Sequence, residues 1–246
     1  MHVQNVGRPL QSRRSCMNRE PRGFVPELSE ENQELEKLYP SLAEERKLWR
    51  AGFTRIAGLD EAGRGALAGP VVAGAVILSA QTKRAGLWAE VQDSKLLSPP
   101  RRQELADRIR EQAAAWSLGE ASAAEIDARG IASATRLAMR RAVQAFSPSP
   151  DHLLLDWVQL KSLNLPQLSF TKGDLRIVSI AAASILAKVH RDRLLCQLHD
   201  QFPGYGFNSH KGYAARTHLA AIEILGPCPA HRRSFSPLRK DETLFS

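Results

Sequence analysis

The sequence predicts an α/β layered domain. Two segments rich in Val, Ile, Leu and Ala, at about residues 55 to 60 and 70 to 78, are too apolar for half-exposed strands and are expected inside a covered sheet. Helical segments follow these strands, and the chain has no internal repeat, which favours a sheet flanked by helices. A length of 246 residues suits one large domain with appendages.

Charge and cysteine content narrow the class of protein. The 34 Lys and Arg residues exceed the 26 Asp and Glu residues, and the isoelectric point is near 9.7. This charge favours a protein that binds polyanions such as nucleic acid, although many basic proteins bind none. No apolar run approaches the ~20 residues of a membrane span, so no membrane association is expected. Cys16, Cys196 and Cys228 lie far apart with no Cys-x-x-Cys pair, which predicts a reducing, cytoplasmic location.

The chain is expected to begin with an extension and then a short helix. Residues 1–40 are interpreted as a basic, disordered arm, because the first 26 residues hold five arginines against one glutamate; an organelle transit peptide is the alternative. From Ser41 the pattern changes. Ser41 and Glu44 have the spacing of a capping box, which predicts a helix that ends near Gly52.

The remaining elements follow from caps and periodicity. Ser98 and Pro99 predict the start of a helix that runs to about Trp116. A second helix is expected at 131 to 145 and a short strand at 152 to 158. A long helix is predicted at about 179 to 201, and its Ala-rich first half can approach a sheet closely.

Four acids occupy positions that suggest a metal site. Asp60 and Glu61 close the first apolar segment, Asp156 lies at the end of its own strand, and Asp174 lies just before the long helix. Buried carboxylates are costly unless they are compensated, and Mg²⁺ or Mn²⁺ prefers carboxylate oxygens. Taken singly, Asp156 could pair with a buried arginine and Asp174 could cap a helix. Together the four acids predict a cage for two divalent ions.

Two further patterns near these acids are not interpreted as parts of the functional site. Gly63-x-Gly65-x-x-Ala68 matches a loose dinucleotide fingerprint, but it leads into a strand and not into the helix that this motif requires. Asp192 lies four residues after Lys188 on the predicted long helix, where an ion pair is the usual arrangement, so it is left out of the cage.

Several motifs together resemble bacterial type 2 ribonuclease H, the ribonuclease HII family. They are GLDEAGRG, DSKLLS, KGD, SIAAASILAKVHRD, YGFNSHKGY and GPCPAHRRSF, spread over residues 55–237. Type 3 enzymes lack the Gly-Arg-Gly run. The resemblance implies a ribonuclease H-like fold with a central mixed sheet flanked by helices and a C-terminal helical extension. It divides the chain into the arm, a catalytic domain at 41–200, and a substrate-binding extension with a tail at 201–246. The protein is expected to act as a monomer.

The resemblance also implies an activity. The family cleaves the RNA strand of RNA–DNA hybrids and single ribonucleotides embedded in duplex DNA, and leaves 5′-phosphate and 3′-hydroxyl ends. On this basis Asp60, Glu61, Asp156 and Asp174 are the catalytic, metal-binding carboxylates for two Mn²⁺ or Mg²⁺ ions. Alternatives from other classes are a catalytically silent nucleic-acid-binding module and a ribonuclease H-like nuclease that acts on DNA.

Nucleic-acid contacts are expected around the glycine run and a late aromatic loop. Gly63, Arg64 and Gly65 are interpreted as a ribose sensor, because backbone without a side chain can approach a 2′-hydroxyl. By resemblance Tyr213 packs against the sugar at the junction, whereas Phe207 is expected in the core. The candidate phosphate contacts, each weighed against an ordinary surface lysine, are Lys95, Lys172 and Lys211.

Three features depart from the family pattern or lie outside it. Trp157 stands where the family usually has Gly, and Ala215 stands where KGYGT has its hydroxyl residue. Beyond the matched blocks, Leu244 and Phe245 in the tail suggest a peptide that holds a sliding clamp; two apolar residues that fold back on the domain are the competing interpretation.

Overall fold

The computed structural model describes residues 39–238, so that nearly all of the predicted arm and the predicted clamp-binding tail lie outside the described residues. Five strands form one sheet in the order β3-β2-β1-β4-β5. The strands are β1 Ile56–Ala62, β2 Val71–Ile77, β3 Ala115–Ala121, β4 His152–Asp156 and β5 Gln167–Phe170. The helices of this part of the chain are α1 Ala43–Arg50, α2 Leu87–Glu90, α3 Pro99–Gln112, α4 Ala123–Arg129, α5 Ile131–Gln144, α6 Val178–Gln201, α7 Phe207–His210 and α8 Arg216–Leu225.

The sheet is mixed, as predicted. The central strand β1 is antiparallel to β2, where Asp60 faces Gly74, and parallel to β4, where Leu59 faces Leu155. Every residue of β2 and all but one of β1 are buried, which confirms that the two apolar segments lie in the middle of a covered sheet.

Helices α5 and α6 cover opposite faces of this sheet. Side chains alternate along a strand, so Leu59 packs with α5, whereas Gly58 lies against Ser179 of α6. Gly74 of β2 touches the backbone of Ala183 in the same way. The small residues of both partners allow the close approach that the Ala-rich first half of α6 predicts. The alternation also places Asp60 on the α6 face and Glu61 on the α5 face.

The predicted capping box at Ser41 and Glu44 is wrong. Leu42 is the N-cap of α1, with no side-chain cap, and Glu45 turns inward, where its Oε1 accepts a hydrogen bond from the amide of Ser179 at 2.9 Å. A capping box does form at Ser122 and Glu125, at the start of α4. A carboxylate in the first turn of one helix, such as Glu45, can therefore bind the buried start of another helix instead of capping its own.

Other helix and strand boundaries differ from the predicted ones because strand pairing overrides the local preference for helix. The helix predicted to reach Trp116 ends at Gln112, and Trp116 belongs to β3, which pairs with β2 along its whole length. Neither β3, β5 nor α4 was predicted. Strand β1 runs past Asp60 to Ala62, so the two acids lie within it, whereas β4 stops at Asp156 because Trp157 adopts a left-handed φ of 46°.

The C-terminal extension packs onto the end of α6. Its own core contains Tyr205 and Phe207, which pack with Leu195 of α6 and with Ala68 of the loop after β1. Phe207 is fully buried, which confirms the core interpretation of this residue. No helix within residues 39–238 is both long and apolar enough to cross a bilayer.

Candidate active site

The four predicted acids line one cavity of about 520 Å³ at the end of β1. The remaining residues of its wall come from the glycine run, the loop before α3, helix α6 and the extension: Ala62, Gly63, Arg64, Gly65, Ser94, Lys95, Ser184, Lys188 and Tyr213. A cavity that combines four acids with a few cations and one tyrosine is suited to a polar, phosphate-bearing substrate.

Asp60 is the most buried of these acids, with 6% of its surface exposed. Ser184 of α6 lines the same cavity as Asp60, and its hydroxyl oxygen lies 3.1 Å from that of Ser94. Burial, followed by the charges of Glu61 and Asp156, raises the pKa of Asp60 well above its usual range. A positive charge placed beside this group would be strongly stabilised.

Glu61 is held from the other face of the sheet. The indole nitrogen of Trp157 donates to both of its carboxyl oxygens, at 3.0 and 3.2 Å, and Nη1 of Arg64 lies 3.8 Å from Oε1. Burial raises the pKa of Glu61 to about 7, although the Trp157 hydrogen bond and the Arg64 charge both act to lower it.

Asp156 and Asp174 meet at the carboxyl end of β4. The amide of Gly173 donates to Oδ1 of Asp156 at 2.8 Å, and burial is the main reason that the pKa of Asp156 is raised. Asp174 lies in a buried 3₁₀ turn, Gly173–Leu175, with its Oδ2 3.7 Å from the exposed Nζ of Lys95. The parallel strands β1 and β4 thus bring three of the four acids to one edge of the sheet.

This donor set fits a hard divalent cation. The acids offer carboxylate oxygens, neither Cys nor His lines the cavity, and such oxygens suit Mg²⁺ or Mn²⁺. Within residues 39–238, however, no three His, Cys, Asp or Glu side chains stand as an assembled ligand set. Glu61 is engaged by Trp157, Asp156 by Gly173 and Asp174 by Lys95. The assignment of the four acids as metal ligands therefore stays a prediction.

The two glycines of the Gly-Arg-Gly run differ in their surroundings. Gly63 has a φ of +89°, and a Cβ there would overlap the side chain of Arg191. At Gly65 a Cβ would meet nothing within 4 Å, and the residue borders the cavity. Gly63 is therefore required by the fold itself, whereas the open space at Gly65 is available to a substrate.

Two buried arginines hold the loop at residues 63–70 that begins with this run, and sequence reasoning missed both. Arg232 donates to the carbonyls of Gly63, Arg64 and Gly69 at 2.7 to 3.0 Å. Arg191 donates to three carbonyls at 3.0 Å, those of Ala68, Pro70 and Lys211. Burial, with the Arg191 charge as a further cause, lowers the pKa of Arg232 to about 9. Their partners are main-chain carbonyls, which leave no signature in a sequence.

The predicted nucleic-acid contacts divide into two groups. Tyr213, 39% exposed, and Lys95 line the cavity, and their nucleic-acid contacts stay predictions. Lys172, with a left-handed φ of 56°, lies in a separate groove beside α1, and Nζ of Lys211 donates to the carbonyl of Asn208 at 2.5 Å. Neither Lys172 nor Lys211 lines the cavity.

Lys188 belongs to the cavity and was not predicted as a site residue. It forms the expected ion pair with Asp192, at 2.7 Å, and its Nζ lies 5.8 Å from the centre of the Tyr213 ring. An acid outside the cage thus holds a cation that faces into it.

A mixed sheet flanked by helices, whose central strand brings two acids to a cavity shared with the neighbouring strand β4 and with α6, is the architecture of the ribonuclease H-like fold. Two solved structures share it: the ribonuclease H2 of Pyrococcus horikoshii OT3 (TM-score 0.64, 24% identity, 76% of this chain and 96% of that one) and the PCNA:RNase HII complex of Archaeoglobus fulgidus (TM-score 0.63, 28% identity, 76% and 96%).

The family assignment rests on sequence. The ribonuclease HII family pattern matches residues 57–237. A ribonuclease HII of Dehalococcoides mccartyi strain 195 is 50% identical over 203 residues, which cover 82% of this chain and 95% of that protein. The chain belongs to the ribonuclease HII family. It is a metal-dependent endoribonuclease that cleaves the RNA strand of RNA–DNA hybrids.

Proposed function

We propose that the enzyme also cuts at single ribonucleotides embedded in duplex DNA, on the 5′ side of the ribonucleotide, and leaves 5′-phosphate and 3′-hydroxyl ends. The observation that carries this proposal is Gly65, where the missing side chain leaves open space at the edge of the acidic cavity. Main chain exposed in this way can approach a 2′-hydroxyl, the group that distinguishes RNA from DNA.

The four acids would hold the metal ions. Two divalent cations, Mg²⁺ or Mn²⁺, would bind among Asp60, Glu61, Asp156 and Asp174. When bound, such ions lower the pKa of a water molecule and stabilise the negative charge on the leaving 3′ oxygen. The buried position of Asp60 supports this assignment, because its carboxylate lacks a cationic partner within hydrogen-bond distance among the described residues.

The other cavity residues would position the nucleic acid. Lys95 and Lys188 add positive charge at the rim, where they attract phosphates without reading sequence. Tyr213 presents a partly exposed ring on which a sugar or base can pack. Arg232 holds the backbone of the glycine run, and Arg191 holds the carbonyls of Ala68 and Pro70 in the same loop, before the substrate arrives, so that less ordering is required on binding.

The test compares four duplexes of one sequence: one with a single embedded ribonucleotide, an RNA–DNA hybrid, an all-DNA duplex, and an RNA–DNA junction. Each is incubated with Mg²⁺, with Mn²⁺ or with EDTA. We expect cleavage of every ribonucleotide-containing duplex, none of the all-DNA duplex, and none in EDTA. Cleavage of the hybrid alone would reject the embedded-ribonucleotide proposal, and cleavage of the all-DNA duplex would favour a DNA nuclease.

We also propose that the enzyme works in the cytoplasm as a monomer that docks on a sliding clamp through its tail. Within residues 39–238, Cys196 and Cys228 form no disulfide, which supports a reducing compartment, and the A. fulgidus relative was solved as a complex with PCNA. Removal of residues 241 to 246 should abolish clamp binding and leave cleavage of a short duplex unchanged. A truncated enzyme that melts several degrees lower would favour a tail that packs on the domain.

A further inference from the structure

Trp157 makes two contacts that join separate parts of the site. The edge of its indole donates a hydrogen bond to the Glu61 carboxyl group, and the guanidinium carbon of Arg64 lies 3.9 Å above the ring centre. Arg64 is the middle residue of the glycine run. One side chain therefore touches both an acid of the proposed cage and the run that is proposed to contact the ribose.

The direction of Glu61 depends on this contact. Asp60 and Glu61 point to opposite faces of β1 because they are consecutive strand residues. For both carboxyl groups to serve one cavity, the longer Glu61 side chain must be held at the edge of the sheet. The indole nitrogen of Trp157 and the guanidinium of Arg64 are positioned to do this, at 3.0 and 3.8 Å.

The backbone of Trp157 is in an unfavourable conformation. Its φ of 46° lies in the left-handed region, which is sterically unfavourable for a bulky residue. Such a conformation persists only where surrounding contacts impose it. Here its amide donates to the carbonyl of Phe170 at 2.9 Å, and the ring packs against the core beneath α5. The indole is thus fixed from below and presents its N–H and one face to the site.

We propose that Trp157 is a positioning residue that couples Glu61 to Arg64, so that the cage and the glycine run adopt their working arrangement together. This inference rests on the proposed function of both parts. Trp157 itself contacts neither the substrate nor the reacting atoms. Its effect is exerted through the two side chains that it holds.

The main test is Trp157→Phe, which keeps a ring beneath Arg64 and removes the hydrogen bond to Glu61. Trp116→Phe is the matched control, because Trp116 lies beneath Arg110 outside the cavity. We expect Trp157→Phe to lower kcat on an RNA–DNA hybrid about tenfold, the effect of one lost hydrogen bond to a charged group, with KM for the duplex unchanged. An unchanged kcat, or a rise in KM alone, would overturn the proposal.

A fluorescence titration provides a readout that does not depend on turnover. Mg²⁺ alone, without nucleic acid, should change the tryptophan emission of the unaltered enzyme and of Trp116→Phe, but not that of Trp157→Phe. An equal Mg²⁺ response in all three proteins would show that Trp157 does not follow Glu61 and would overturn the coupling.

A second variant covers the possibility that Trp157→Phe fails to fold. The Arg64 side chain is 41% exposed, so Arg64→Met should fold normally. We expect it to shift the Trp157 emission and to weaken the Mg²⁺ response; no change in either would overturn the coupling. If the unaltered enzyme cleaves hybrids but not embedded ribonucleotides, the proposed function fails, whereas kcat on the hybrid and the Mg²⁺ response still decide the role of Trp157.

Discussion

Arg232 donates a hydrogen bond to the carbonyl of Gly63 at 2.7 Å, although the two residues are 169 positions apart in the sequence. The same guanidinium also binds the carbonyls of Arg64 and Gly69. A residue of the C-terminal extension thus shapes the loop that follows the central strand. The extension is therefore part of the scaffold of the candidate active site.

Arg232→Lys should destabilise the protein on the order of 3 kcal/mol, because lysine keeps the charge but cannot serve three carbonyls in a buried site. Urea unfolding measures this loss. Arg233→Lys is the control, since Arg233 is exposed and the adjacent contact to Asp127 uses its main-chain amide. Equal stability of the two variants would contradict the scaffold role of Arg232.

The two glycines of the run should respond differently to alanine. Gly63→Ala is expected to lower the melting temperature by several degrees, because its Cβ meets Arg191 and its φ is +89°. Gly65→Ala should melt like the unaltered enzyme, since the new methyl group meets open space, and yet should cleave ribonucleotide-containing duplexes much more slowly. A Gly65→Ala enzyme with full activity would remove this residue from the ribose contact.

Substitution of the acids should separate binding from turnover. Asp60→Asn or Asp156→Asn should abolish cleavage in Mg²⁺ while duplex affinity stays nearly unchanged, because the basic rim that attracts phosphates is intact. Asp200→Asn makes the same charge change at an exposed site and serves as the control. Near-normal rates for either cavity variant would refute the metal-ligand assignment.

Tyr213→Ala should slow cleavage at a single embedded ribonucleotide more than it weakens binding, because a misplaced junction costs rate through geometry. Tyr213→Phe keeps the ring and should retain most of the activity. Rates and dissociation constants are measured on the embedded-ribonucleotide duplex and on the hybrid. A uniform loss on both substrates, matched by a loss of affinity, would make Tyr213 a general stacking contact.

The buried His231 of the extension should make a contribution to stability that is lost at acidic pH, opposite in sign to the contribution of the cavity acids, whose pKa values are raised. Nε2 of His231 lies 3.0 Å from Nε2 of His218, and burial, with the His218 charge as a further cause, lowers the pKa of His231 to about 4. Between pH 6.5, the ordinary pKa of histidine, and about pH 4, His231 is protonated in the unfolded chain but not in the folded chain. The free energy of unfolding should therefore drop by about 1.4 kcal/mol per pH unit from this residue.

Urea titrations from pH 8 to pH 5 test this dependence. His231→Asn should flatten the curve below pH 6.5, whatever its effect on stability at pH 8. A His231→Asn protein whose stability falls as steeply as that of the unaltered chain would assign the acid sensitivity to other groups.

The sequence by itself determined the central strands and the long helix, and it predicted a site from four acids that the structure places in one cavity. Runs such as VVAGAVIL are apolar on both faces, so only a covered strand can bury them. The Ala-rich start of α6 similarly restricts it to close packing on a sheet. Asp60, Glu61, Asp156 and Asp174 were identified because acids directly after apolar segments are unusual and because the surrounding motifs resemble one family.

Only the tertiary structure decided how these parts are held together. The partner of Glu45 is the amide of Ser179, and those of Arg191 and Arg232 are carbonyls far along the chain. Such contacts involve main-chain groups that every residue possesses, so no pattern of residue types predicts them. The strand at Ala115–Ala121 and the hydrogen bond from the Trp157 indole to Glu61 depend likewise on which segments meet in space. Local preference is worth tenths of a kcal/mol per residue, and pairing or burial outweighs it.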